Sequence, residues 1–164
     1  MKSINIDEVK KLLVIIKDAP SIRVGHFSDS FIELSALLEE FCNSRDYEYI
    51  LYAINQEFEE SAKDIVKNVK LFNIKRAKYM QNGKFFDYLF VSADIKDIES
   101  FVKKAHSVIK NAGEIIILVE KNNYKIIDLW RNYLEENYYV ATNIIEIDAN
   151  YSVIISKKMH GWGG

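Results

Sequence analysis

The chain has 164 residues, 49% hydrophobic and 28% charged, with a formal net charge of −2 and one cysteine, Cys42. This balance predicts one domain with a packed core, without repeats, low-complexity tracts, an internal disulfide or strong nucleic-acid or membrane electrostatics. The longest apolar run near the start, "LLVII" at 12–16, is too short for a signal-peptide core or a membrane span, so a cytoplasmic protein with no nucleic-acid or membrane partner is expected.

Residues 6–18 place Val9, Leu12, Leu13 and Ile16 on one helical face, stopped by Pro20. "SIRVGHF" at 21–27 reads as a short strand. The run 29–42 repeats Phe31, Leu34, Leu38 and Phe41 at helical spacing, with Asp29 or Ser28 as its cap. "YEYILYAI" at 47–54 is strand-like, and 56–69 is helical with Phe58, Ala62, Ile65 and Val69 inward. "KRAKYM" at 75–80 reads as a weak strand and "FDYLFVSA" at 86–93 as an apolar one. The helix over 95–110 turns Ile98, Phe101, Val102, Ala105 and Val108 inward, with Asn111 and Gly113 as its stop. "EIIILVE" at 114–120 is the most apolar strand, and 124–137 is the last helix. Residues 138–148 and 151–158, separated only by "AN", predict an antiparallel hairpin.

Alternating strands and helices call for a mostly parallel sheet covered on both faces, with the hairpin at one edge. Residues 1–158 form a single domain in this reading and 159–164 a tail. Ligands of such sheets bind beyond the carboxyl ends of the strands, which directs attention to the loops after residues 25, 54, 80 and 93.

Three stretches, "IRVGHFSDSF", "LYAINQEFEESAKDIVKN" and "FDYLFVSADIKDIESFVKKAHSVIKNAGEIIIL", together resemble a class I S-adenosylmethionine-dependent methyltransferase, most closely the small O-methyltransferase group. The order and spacing of the stretches carry the likeness over nearly the whole chain. The resemblance implies an α/β, three-layer Rossmann-like methyltransferase sandwich with a seven-stranded, mostly parallel sheet and a C-terminal antiparallel hairpin. It also implies a cofactor-binding set of Gly25, His26, Phe27, Ala53, Ile54, Asn55 and Asp94.

Against that family pattern, the acid of the first strand is replaced by Arg23 and the last loop glycine by Asp29. Phe27 holds the middle loop position, where the group accepts bulky residues. The acid that would hold the ribose hydroxyls corresponds to Ala53. The metal-binding Asp of the metal-dependent members corresponds to Ser92, and their Asp-Asn pair to Leu118 and Val119. The expectation is a diverged methyltransferase-like protein with weak or absent S-adenosylmethionine binding, no metal, and an unidentified small molecule or protein as partner. The alternative is an active small-molecule methyltransferase with atypical contacts through Gly25, the loop amides, Ile54 against the adenine, and Asn55. No residue stands out as a general base.

The same residues have ordinary readings. His26 is a ligand contact, a proton-transfer group, or a loop histidine bonded to backbone. Arg23 receives an anionic ligand or pairs with a nearby acid. Asp29 and Asp94 either face a ligand or cap helices. Cys42 reads as core packing and His106 as a surface or partly buried residue rather than a catalytic one, and the ten tyrosines read as sheet packing without a basic stripe beside them. Trp162, between glycines, belongs to a mobile tail or anchors that tail in a groove of this or a second subunit, leaving a homo-oligomer open.

Overall fold

The structure, a computed structural model, describes residues 3–81 and 83–159. Asn5 opens α1 (Ile6–Leu12), its side-chain oxygen accepting from the amides of Asp7 and Glu8. A single tight turn, Leu13–Ile15, follows. The β-branched run Val14-Ile15-Ile16 disfavours further helix, so the element ends well before Pro20. The expected apolar face is nonetheless buried: Val9, Leu12, Leu13 and Ile16 are all in the core.

After α1 come β1 (Arg23–Ser28), α2 (Ile32–Ser44), β2 (Glu48–Ala53), α3 (Gln56–Ala62), β3 (Val69–Leu71) and β4 (Phe86–Ser92). The remainder is α4 (Ile98–Val108), β5 (Ile109–Glu120), α5 (Tyr124–Glu136), β6 (Tyr139–Glu146) and β7 (Tyr151–Lys158). The seven strands lie in the order β3-β2-β1-β4-β5-β7-β6. The neighbouring pairs among β1 to β5 are parallel, whereas β7 runs antiparallel to both β5 and β6. Asp148 shapes the hairpin turn, its Oδ1 accepting from the amides of Asn150 and Tyr151. This is the expected mostly parallel sheet with a closing hairpin.

Two cores flank the sheet. On one face α1, α2 and α3 bury Val9, Leu34, Leu38, Cys42 and Phe58 against Val24, Leu51, Phe90 and Ile116. On the other, α4 and α5 bury Phe101, Val102, Ala105, Trp130 and Leu134 against Phe27, Leu89, Ile115 and Ile117. Each fully buried large apolar side chain contributes roughly 1.5–3 kcal/mol, so both helical layers are held mainly by these faces. No helix among the described residues is long and apolar enough to cross a membrane.

Three local expectations are corrected. The helix expected to reach residue 69 stops at Ala62, where the amides of Ile65 and Val66 both turn back to the Ala62 carbonyl. Val69 instead begins β3, and Ile65 is exposed. The "KRAKYM" segment forms no strand; its consecutive charges have no apolar face to offer a sheet. Asn111 and Gly113 do not stop a helix, because α4 passes directly into β5 at Ile109. They lie where the β4–β5 register shifts, with Ala112 at φ 65°, the local accommodation of an irregular ladder. Met159 donates its amide to the Tyr138 carbonyl at 2.8 Å; the rest of the expected tail, including Trp162, lies outside the described residues.

Candidate functional site

Ser28 is level with Ala53 on one side and Ser92 on the other, so β1, β2 and β4 end together. A cleft of about 600 Å³ opens above these ends. Asp29, Ser30 and Phe31 from the loop after β1, Asn55 after β2, and Ser92 to Ile95 after β4 line one side. Leu118 to Glu120 at the end of β5, Asn123, Trp130 and Tyr151 complete it. Three carboxylates, of Asp29, Asp94 and Glu120, give the cleft an acidic character.

Side chains stitch its floor. Asp29 Oδ2 accepts from the Asp94 amide at 2.9 Å, joining the loop after β1 to the loop after β4. Ser30 Oγ donates to Asp29 Oδ1 at 2.9 Å and lies 3.4 Å from the Ser92 carbonyl oxygen. Ser28 Oγ donates to the Ser30 carbonyl at 2.7 Å. Lys96 pairs with Asp94 at 2.6 Å on the exposed rim.

Beneath the floor a buried chain continues. Ser92 Oγ donates to Ser28 Oγ at 2.8 Å, and His26 Nε2 lies 2.7 Å from Ser92 Oγ. His26 Nδ1 lies 2.7 Å from the Tyr49 hydroxyl. The Ser28 proton is used by the Ser30 carbonyl and the Ser92 proton by Ser28. His26 Nε2–H therefore donates to Ser92, and Nδ1 accepts from Tyr49. Burial pushes the His26 pKa down to about 3, so the ring is neutral and acts as a fixed donor rather than a base near pH 7.

The expected cofactor-loop residues Gly25, His26 and Phe27 are not in a loop. All three are interior to β1, with Gly25 opposite Ile50 and Leu89. A Cβ at Gly25 would meet the Phe86 ring at 2.9 Å, so this glycine serves close packing of a ring onto the strand. Phe27 packs among Tyr52, Phe72, Tyr79 and Phe101 at centroid distances of 4.9–5.6 Å. The loop that does open at the strand end, Asp29 to Phe31, contains no glycine; Phe31 itself takes φ 62° where α2 begins. Neither Asp29 nor Ser28 caps α2, which lacks a side-chain cap.

Ala53 is fully buried at the end of β2. Ile54 donates its amide to the Ser28 carbonyl at 3.0 Å. Asn55 lines the cleft while its Oδ1 caps α3 through the Phe58 amide at 2.7 Å. Asp94 also lines the cleft but caps nothing, since Asp97 caps α4. Arg23 begins β1, at the end of the strands opposite the cleft. It pairs with Glu48 at 3.2 Å and lies 4.3 Å from the Phe85 ring centroid, so its charge does not bear on the cleft. The structure thus gathers Asn55 and Asp94 with Asp29, and adds Glu120, Asn123 and Tyr151, which follow or face the end of β5. Their place just beyond an apolar strand is the one signal in the sequence that could have marked them. Among the described residues no group of three or more His, Cys, Asp or Glu could hold a metal ion.

For a cofactor carrying a ribose the fit is partial. The cleft has the place and the volume, but the end of β2 offers no carboxylate, and the β1 loop is engaged with its own side chains and with the β4 loop.

No protein-family model and no curated protein sequence matches the chain. Solved structures do. A SAM-dependent O-methyltransferase from Thermotoga maritima is similar with a TM-score of 0.78 at 14% identity, over 98% of this chain and 68% of that one. A SAM-dependent methyltransferase from Archaeoglobus fulgidus gives 0.70 at 16% identity, over 93% of each chain. The tRNA (m1A58) methyltransferase TrmI from Aquifex aeolicus gives 0.69 at 18% identity, over 93% of this chain and 69% of that one. With its strand order, its single antiparallel strand and its cleft above the parallel ends, the chain has the fold of the class I S-adenosylmethionine-dependent methyltransferases.

Proposed function

We propose that this is a diverged methyltransferase-like protein whose cleft binds S-adenosylmethionine weakly or not at all. The observation that carries the reading is the tie from Asp29 to the Asp94 amide, which closes the β1 loop upon the β4 loop. Ala53 supports it: a hydrogen bond to a charged group is worth ~1.5–3 kcal/mol, so lacking the ribose carboxylate weakens binding roughly ten- to a hundredfold. Arg23 adds nothing to this argument. The single buried Cys42 suits a reducing, cytoplasmic location.

The second reading, an active methyltransferase with atypical contacts, is favoured by the cleft's acidic lining, because the sulfonium and amino groups of the cofactor are cationic. Asp29 separates the two. Calorimetric titration with S-adenosylmethionine is expected to show no low-micromolar binding to the unaltered chain, and Asp29→Gly is expected to leave binding unchanged or strengthen it by opening the loop. Low-micromolar binding that Asp29→Gly abolishes would establish the second reading instead.

A further inference from the structure

Between Asp64 and Asp87 the chain carries six cations, Lys67, Lys70, Lys75, Arg76, Lys78 and Lys84, and no carboxylate. Among the described residues none of the six joins an ion pair. In a chain of net charge −2 this concentrates positive charge on the segment around and after β3.

The segment folds against α4 and encloses a cavity of about 230 Å³, where Lys75, Lys96 and Lys104 come together with Ile74, Tyr79 and Phe101. Lys104 reaches across from α4: its Nζ donates to the Lys75 carbonyl at 3.4 Å and stands 5.7 Å from the Tyr79 ring centroid. One carboxylate, Asp97, also lines the wall, and it is engaged with the Ser100 amide at 3.1 Å. Three ammonium groups against that one lining carboxylate leave an excess of two positive charges on the wall, one of which, Lys96, is offset from outside by Asp94 until a ligand displaces it. The contact between Lys96 and Asp94 is highly exposed on both sides and therefore weak enough to exchange for a ligand.

We infer that this cavity binds the phosphoryl group of a small phosphomonoester, with the apolar body of the ligand against Ile74 and Ile95, the half-buried apolar side chains of its wall. A phosphomonoester is close to a dianion near neutral pH, which matches the excess charge, and lysines bind phosphoryl oxygens as point charges. The cavity is smaller than the range typical of drug-sized ligands, so the ligand is small. The inference goes beyond the reading of the main cleft and holds whether or not that cleft takes S-adenosylmethionine.

Phenyl phosphate is the probe, titrated into the full chain and followed by phosphorus NMR and calorimetry. Saturable binding is expected, tighter than that of inorganic phosphate and weakened by at least about tenfold in the double variant Lys75→Gln/Lys104→Gln. Lys125→Ala on α5 is expected to bind as the parent does. Lys75 is exposed and Lys104 half-buried, and an unchanged melting temperature of the double variant separates lost binding from lost fold. Absence of saturable binding, or binding indifferent to the double variant, would overturn the assignment. Equal affinity for inorganic phosphate would remove the organic body from it, and equal affinity for benzoate would remove the phosphoryl group. A single-stranded oligonucleotide that binds more tightly than phenyl phosphate, and loses affinity in Lys67→Gln/Lys70→Gln, would replace the small ligand with a polyanion laid along the β3 edge.

Discussion

The two faces of β1 solve different problems with neighbouring residues. Phe27 enters the face covered by α4 and α5, where it is surrounded by aromatic rings and no polar group is involved. His26 enters the face covered by α1 and α2, where both ring nitrogens are hydrogen-bonded and the chain of donors ends at the floor of the cleft. Around Phe27 the fold is stabilised by area and shape, and the ring itself has no proton to exchange. The His26 face holds the strand ends in register through directional bonds, and makes the fold answerable to protons.

Substitutions can separate these roles. Phe27→Ala is expected to cost the most, ~3–5 kcal/mol in chemical denaturation, because the ring cluster cannot collapse into the gap. The acid response of the His26 face comes next. The folded pKa is lowered to about 3 from 6.5, so below pH 6.5 the unfolded chain takes up a proton that the native state refuses. Stability therefore falls with pH through that window, by on the order of 4 kcal/mol near its lower end. His106, buried on α4 and lowered to about 4 mainly by that burial, adds a smaller effect of the same sign. Melting temperatures followed from pH 7 downward should show this slope, and His26→Phe should flatten most of it while lowering stability at pH 7. A slope unaltered by His26→Phe would place the proton sensitivity elsewhere. Gly25→Ala forces a methyl against the Phe86 ring and is expected to cost ~1–3 kcal/mol. The smallest effect is expected for Ser92→Ala, about 1–2 kcal/mol from an unsatisfied His26 donor; a neutral outcome would mean that water replaces the hydroxyl.

Much of this architecture was legible in the residues. The inward faces of α4 and α5 and the apolar strands β4 and β5 have the periodicity that burial demands, and the hairpin was marked by its short turn. β3 was not legible because it is three residues long and largely exposed, so it carries no apolar pattern of its own. The direct passage from α4 to β5 was hidden because Asn111 and Gly113 serve an irregular ladder as readily as a helix end. The loop after β1 opens three residues later than expected, after Ser28, for one reason: a glycine that admits an aromatic ring looks the same in sequence as a glycine that admits a ligand. Asp29, read as a departure from a loop pattern, does sit in the loop, and its part in closing that loop depends on the Asp94 amide 65 positions away.

At the far end of the sheet, Lys158 buries its ammonium group against the carbonyls of His106 and Ile109, at 2.8 and 2.9 Å. These carbonyls belong to the corner where α4 becomes β5 without a loop, and the donor that satisfies them comes from the last strand. The corner is therefore incomplete for as long as β7 is missing. A chain truncated before Lys158 is expected to leave these two carbonyls without their native donor. The corner between α4 and β5 and the closing hairpin are thus joined at one buried ammonium group, far from the cleft.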